Sequence, residues 1–261
     1  MRRCAASGGV KPKVYLIGAG PGSVDYLTLK AARLLAGADV VLHDALVCQD
    51  VLDLAPQARK ILVGKRAGAV STDQAFINRL LITSAKSGGM VVRLKGGDPM
   101  IFGRAHEEIE ACQKAGIDVE IVPGITAASA AAAQIGTSLT RRGVSRSVAL
   151  ITPSAARGAH DDHAWADLAV ASQTSAIYMG ATHAKQLRDT LIGRGLSPAT
   201  PIIIVHDVSR PEAGHVAGHL ADLAELAHGL GSGPAMVLLG EVFADLVNVA
   251  NAQQSPEVRQ A

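Results

Sequence analysis

Residues 93 to 104 read RLKGGDPMIFGR, which sets Arg93, Lys95, Asp98 and Arg104 around the adjacent glycines Gly96 and Gly97. Paired glycines let a backbone approach a ligand closely or adopt dihedral angles that other residues avoid. Two further glycine loops share the context. GAGPG (18–22) follows the apolar run KVYLIG, and VPGIT (122–126) follows DVEI. Ligands bind at strand ends in an α/β sheet. Three such loops at one sheet edge would make a groove walled mainly by main chain, which suits a neutral or zwitterionic adenosine-type ligand better than a triphosphate.

Other readings of these loops compete. A G-x-G-x-x-G dinucleotide fingerprint would need glycine where Ser23 stands, and Pro21 removes a backbone donor that a pyrophosphate site uses. Asp39 or Asp44 could serve as the downstream acid, but an acid at that separation is common in any βαβ unit. No G-x-x-x-x-G-K-[ST] string occurs, so a P-loop is a poorer match. A tight turn that serves only helix packing is the plain alternative for the first loop taken alone.

The surrounding pattern supplies the scaffold. SVDYLTLKAARLLAGA has apolar residues near helical spacing, DVVLHD, KILVG and MVVRL read as strands, and STDQAFINRLLITSAKSG reads as a helix that Ser71 or Thr72 could cap. This alternation predicts a mostly parallel sheet with crossover helices. The polar, basic stretch TSLTRRGVSR (137–146) interrupts it. We therefore expect a leader over 1–12, one α/β lobe over 13–137, a second over 138–250 and a frayed tail over 251–261. In the second lobe SVALIT, SAIYMG, PIIIVHD and PAMVLLGE are strand candidates, and pairing around GHVAGHL would make its sheet partly antiparallel.

Composition narrows the function classes. Hydrophobic residues make up 48%, charged residues 18% and aromatics 3%, so the cores must be aliphatic and alanine-rich. A net charge of +2 without long basic runs argues against nucleic acid as a partner. No apolar run is long enough for a secretory signal or a bilayer span, which leads us to expect a cytoplasmic protein with no membrane partner. Cys4, Cys48 and Cys112 are isolated and odd in number, unlike a disulfide framework or a thiolate metal cluster.

GAGPG, HDALV, VGKRAG, RLKGGDPMIFGR, VPGITAASA, SLTRR and YMG, in this order and spacing, resemble the tetrapyrrole methylase family from about Val14 to about Val242. VGKRAG and RLKGGDPMIFGR point to its branch acting on uroporphyrinogen III. The resemblance implies two α/β lobes with the active site in the cleft between them. It also implies two successive C-methylations from S-adenosyl-L-methionine, leaving S-adenosyl-L-homocysteine and precorrin-2 for sirohaem or cobalamin synthesis. A homodimer without a metal is expected. Methylation of a later precorrin is the nearest alternative, and an NAD(P)-binding oxidoreductase or sensor is the alternative of another class. The short leader also sets the expectation that the dehydrogenase and chelatase activities of bifunctional relatives are absent.

A sulfonium leaves as a neutral thioether, so its reaction needs positioning more than acid–base help. The methylated ring, however, must shed a proton, and a carboxylate is useful for that. By resemblance Asp44 is the proton acceptor and Lys65 the donor. Their ordinary alternatives are a helix-capping acid and a solvated lysine. His43 stands where relatives carry Tyr, and could tune Asp44. The resemblance assigns the methyl donor to Pro21, Gly96, Gly97, Asp98, Ile101, Thr126, Ala127, Met179, Val208 and Ala235. Asp98 would take a ribose hydroxyl or the ammonium, and Met179 would cover the adenine.

The substrate carries eight carboxylates, so cations should gather where it docks. Candidates are Lys65, Arg66, Arg93, Lys95, Arg104, Arg141, Arg142 and Arg146. Pro153 and Ser154 stand where relatives often carry glycine and histidine, a departure that bears on a substrate contact from that loop and not on the methyl-donor site. HDDH (160–163) and HVAGH (215–219) have metal-compatible spacing, but the chemistry requires no metal.

Overall fold

The computed structural model describes residues 11–64, 73–153, 163–231 and 233–254. The chain divides into two compact units, the first ending at Thr126 and the second starting at Ala127.

The first unit alternates strand and helix: β1 (Lys13–Gly18), α1 (Leu29–Ala36), β2 (Val40–His43), α2 (Gln49–Asp53), β3 (Arg59–Leu62), α3 (Gln74–Lys86), β4 (Val91–Lys95), α4 (Ala105–Lys114) and β5 (Asp118–Val122). The strands form one sheet in the order β3-β2-β4-β1-β5. Every pairing is parallel. Crossover helices must then cover both faces, which explains the near-continuous apolar strands. Ala31, Leu35, Val51 and Leu52 of α1 and α2 pack with Ile17, Val41, Val92 and Leu94 on one face. On the other, Ile77, Leu81, Ala85 and Cys112 of α3 and α4 pack with Val14, Leu42 and Val91. Burial, with Glu108 nearby, pushes the Cys112 thiol up to about 11, so it is a core residue rather than a nucleophile.

Side-chain caps start α1 and α3. Thr28 Oγ1 accepts from the Ala31 N–H at 3.1 Å and starts α1. For α3 the cap is Asp73, whose Oδ1 accepts from the Ala75 N–H at 3.1 Å. Ser71 and Thr72, the caps expected from sequence, lie outside the described residues.

The second unit comprises α5 (Ala127–Gln134), β6 (Val148–Ile151), α6 (Ala164–Ala171), β7 (Thr174–Tyr178), α7 (Ala184–Gly193), β8 (Pro201–His206), β9 (Gly214–His219), α8 (Leu223–His228), β10 (Ala235–Gly240) and α9 (Ala244–Gln254). Its sheet runs β6-β7-β10-β8-β9. β6 and β7 are parallel and the remaining pairs antiparallel. The stretch GHVAGH is therefore the edge strand β9, paired with β8. The division at 126/127 falls ahead of the 137/138 boundary expected from sequence, because the alanine-rich α5 packs against β10. No described helix is long and apolar enough to cross a membrane.

The ends of β1, β4 and β5 meet where the first unit presents its glycine loops. Gly20 and Gly97, both with φ near +68°, exchange backbone hydrogen bonds: Gly20 N–H to Gly97 O at 3.2 Å and Gly97 N–H to Gly20 O at 2.7 Å. A Cβ on Gly18 would lie 2.6 Å from Gly124 Cα and 2.7 Å from Gly97 O, distances no side chain tolerates without backbone movement. One on Gly124 would fall on the Gly97 carbonyl oxygen. The three loops thus form one close-packed backbone junction. We expect Gly124→Ala to lower stability by about 1–3 kcal/mol in urea denaturation. Gly193→Ala, which meets no neighbour within 4 Å, should be neutral or slightly stabilising. Equal effects would show that the junction is not sterically fixed.

Candidate active site

Asp44 follows β2 directly, and its N–H donates to Leu94 O at 3.2 Å, which fixes it at the C-terminal edge of the sheet. On the adjacent β4, Arg93 and Lys95 alternate with Leu94 and so share one face. Arg93 is level with Leu42 of the α3/α4 core, which identifies that face. Arg93 is only 2% exposed. Its Nη2 donates to Asp44 Oδ1 at 2.6 Å, its Nε to Glu108 Oε1 at 3.0 Å and its Nη1 to Leu94 O at 3.1 Å. Glu108, on the first turns of α4 and 1% exposed, also accepts from Lys95 Nζ at 3.2 and 3.3 Å and from Gln74 Nε2 at 3.3 Å.

Two acids and two cations therefore alternate as Asp44, Arg93, Glu108 and Lys95. Unpaired, each interior charge would cost several kcal/mol of lost hydration. Burial opposes the Arg93 charge, but Asp44 and Glu108 outweigh it and raise the guanidinium above its ordinary pKa. Lys95 goes the other way, lowered first by burial and then by repulsion from Arg93. The side chain of Asp44 is 28% exposed, far more than those of the other three, so the chain of charges leads from the interior to one accessible carboxylate. His43 Nδ1 lies 3.1 Å from the Asp44 backbone carbonyl, a contact with the main chain rather than with the carboxylate.

This arrangement revises part of the cation set expected to meet a polyacid. Arg93 and Lys95 are closed into the interior and neutralised by carboxylates, because β4 directs both beneath α4. Arg104 remains exposed and makes a bidentate pair with exposed Glu107, Nε to Oε1 at 2.7 Å and Nη2 to Oε2 at 2.8 Å. Arg141 pairs with Asp245 at 2.9 Å on the surface of the second unit. Such pairs contribute little and exchange readily for another anion. Arg142 and Arg146 are also exposed, whereas Lys65 and Arg66 lie outside the described residues.

Pro21, Gly96, Gly97, Asp98, Ile101 and Thr126 all fall in the loops that follow β1, β4 and β5. Asp98 has a structural task in addition to the one expected. Its Oδ1 accepts from the Met100 N–H at 2.7 Å and its Oδ2 from the Gly124 N–H at 3.0 Å, so it latches one glycine loop to another. Since Gly20 and Gly97 already satisfy one another's N–H groups, this junction is not an open anion cradle of the dinucleotide type. Beside it, Leu46, Met100 and Phe102 are exposed apolar side chains. Phe102 and Arg104 both adopt left-handed backbone, at φ 50° and 55°. Strain of this kind in non-glycine residues persists where surrounding structure enforces it, often at ligand sites.

In the second unit the expected donor contacts also gather. Met179 follows β7, Val208 follows β8 and Ala235 begins β10, whose register pairs Met236 with Tyr178 and Ala235 with His206. All three therefore stand at one end of the adjacent strands β7, β10 and β8, and Ala127 begins α5. Met179 is 51% exposed with φ 57°. Val208 is buried between Asp207 and Ser209, both with positive φ, so a ligand would meet its main chain rather than its side chain. Of the histidine strings, His163, His215 and His219 are described, and no set of potential ligands among the described residues could hold a metal. Pro153 is described and Ser154 is not.

Glu108 escaped sequence reasoning because GRAHEEIEA reads as a solvated helix start, with acids favoured by the helix dipole. Its position next to Glu107, on the face that helical periodicity turns inward beside Ala105 and Cys112, was the available signal.

The family model described as Tetrapyrrole (Corrin/Porphyrin) Methylases matches residues 13–224. Siroheme synthase 1 of Yersinia enterocolitica is 45% identical over 250 residues, covering 95% of this chain and 52% of its own length. The chain thus spans about half the length of such relatives. Uroporphyrinogen-III C-methyltransferase of Pseudomonas aeruginosa is 43% identical over 239 residues, 90% of this chain and 96% of that protein. Among solved structures, uroporphyrin-III C-methyl transferase from Thermus thermophilus complexed with S-adenyl homocysteine superposes with a TM-score of 0.78 at 39% identity, covering 89% of this chain and 99% of that one. With the family model matching most of its length, the chain belongs to the tetrapyrrole (corrin/porphyrin) methylases.

Proposed function

We propose that the protein is an S-adenosyl-L-methionine-dependent C-methyltransferase that methylates uroporphyrinogen III twice in succession, giving precorrin-2 for sirohaem or cobalamin synthesis. Likeness to the Pseudomonas and Thermus enzymes over nearly their full lengths supports the substrate and donor. The observation that carries the chemistry is Asp44, a partly exposed carboxylate fixed at the sheet edge by a 2.6 Å bond from a buried guanidinium.

In each turnover an electron-rich ring carbon attacks the sulfonium methyl group. The new C–C bond forms as the C–S bond breaks, and the bonding pair stays on sulfur. The methylated ring is then cationic and passes a proton to Asp44, which restores its neutrality. Lys65, as proton donor, returns a proton to one position of the macrocycle only as another position loses one, a tautomerisation that leaves the ring's charge unchanged. Alignment of the two reactants supplies much of the acceleration, with up to about 7–11 kcal/mol available from orientation in favourable cases.

The donor rests against Pro21, Gly96, Gly97, Asp98, Ile101 and Thr126, with Ala127, Met179, Val208 and Ala235 as further contacts. The substrate carboxylates pair with Arg104, Arg141, Arg142, Lys65 and Arg66, while Leu46, Met100 and Phe102 offer apolar area to the ring face. Arg93 and Lys95 serve Asp44 rather than the substrate. The reading extends to a homodimer acting in the cytoplasm, as the resemblance implies.

Under anaerobic, reducing conditions with uroporphyrinogen III, the protein should form a dimethylated dipyrrocorphin by absorbance. Asp44→Asn should lose roughly 10²–10⁴-fold in kcat with donor affinity retained. Wild-type turnover in that variant would remove Asp44 as acceptor, and methylation only of later precorrins would replace the substrate. In thermal shift, S-adenosylhomocysteine at about a hundred times Kd should stabilise by about 2.7 kcal/mol, with no response to NAD or NADP. Asp98→Ala should need more ligand for the same shift. Stabilisation by the dinucleotides alone would overturn the donor assignment.

A further inference from the structure

We infer that Glu108 is a positioning residue for proton removal, acting on Asp44 through Arg93; the inference rests on the reading of Asp44 as proton acceptor. Arg93 has two carboxylate partners, each on a different nitrogen of its guanidinium. Nε faces Glu108 at 3.0 Å and Nη2 faces Asp44 at 2.6 Å. A planar fork gripped at Nε cannot rotate about its terminal bonds without breaking that contact, so Glu108 fixes the direction in which Nη2 points. Glu108 is itself held by Lys95 Nζ and Gln74 Nε2 from β4 and α3. The sheet and two helices converge on one carboxylate that never reaches the surface, and the chain of charges that runs from it through Arg93 ends at the partly exposed Asp44.

The charge count points the same way. With Arg93 and Lys95 as the cations, Glu108 offsets one and leaves the other to be matched by Asp44. Without the Glu108 charge, two buried cations would face Asp44 alone, and Arg93 would be free to swing toward the vacated side. Because Glu108 does not touch solvent, its loss should act on the chemical step rather than on binding.

The test is a double-mutant cycle on the full chain. Glu108→Gln keeps shape and hydrogen-bonding capacity but removes the charge. It should lower kcat about 10- to 100-fold while leaving the Kd for S-adenosylhomocysteine, measured by calorimetry, within about twofold. Glu108→Asp should recover part of that loss. In an Asp44→Asn background, Glu108→Gln should cause no further loss, since the group it positions is already gone. Wild-type kcat in Glu108→Gln would overturn the inference, as would losses that multiply with those of Asp44→Asn. If Glu108→Gln does not fold, Arg93→Lys, which keeps a cation but drops the second arm, must show the same loss of kcat and the same non-additivity. Full turnover in Asp44→Asn would sink the reading of Asp44 itself, whereas a crippled Asp44→Asn with an unaffected Glu108→Gln would sink only the role of Glu108.

Discussion

A guanidinium sealed beneath a helix, on a face whose core cluster is aliphatic apart from Cys112, is tolerable only if its charge is met on every side. Arg93 meets that condition by bonding Asp44, Glu108 and the Leu94 carbonyl at once. Removing one partner from such a group typically costs about 3–5 kcal/mol, because the other charge is left buried and uncompensated. A well-packed aliphatic residue could stabilise the fold at least as well. What the buried pair supplies that an aliphatic residue cannot is direction, since it holds the Asp44 carboxylate in one orientation at the strand end.

The same sheet edge is made rigid by a second, uncharged device. Gly18, Gly20, Gly97 and Gly124 let three loops touch backbone to backbone, and Asp98 ties two of them together. In a parallel sheet, β4 and β1 are neighbours, so the electrostatic chain on one strand and the glycine junction on the next are set by the same register. A methyltransfer reaction needs this kind of stiffness more than it needs reactive groups. In the proposed reaction the protein would contribute distance and angle, and the sulfonium the driving force.

How much of this was legible in the sequence differs from feature to feature. The glycine loops and the parallel alternation of the first unit were readable, because glycine pairs after apolar runs and helical spacing report local conformation directly. The destination of long polar side chains was not. Arg93 and Lys95 look like surface cations in RLKGG, since sequence does not reveal that α4 will cover one face of β4. Glu108 looked solvated for the same reason. Asp98 reads as a ligand contact, and its latch to Gly124 depends on the loops after β4 and β5 meeting across the intervening β1. The sequence pattern sets the boundary after the alanine-rich α5 and the structure sets it before, since the small, apolar surface of α5 fits either neighbour until β10 is known. The family was legible through whole strings such as VGKRAG, although Lys65 and Arg66 within it lie outside the described residues.

The most direct measurement of the central claim is nitrogen-15 NMR of the arginine side chains. With its guanidinium fixed by two carboxylates, Arg93 should give an Nε–H resonance strongly protected from solvent exchange and separate, non-averaged Nη signals, with the Nη2 signal shifted in Asp44→Asn. A single averaged, rapidly exchanging Arg93 signal that is indifferent to Asp44 would contradict the claim that a buried cation orients the Asp44 carboxylate.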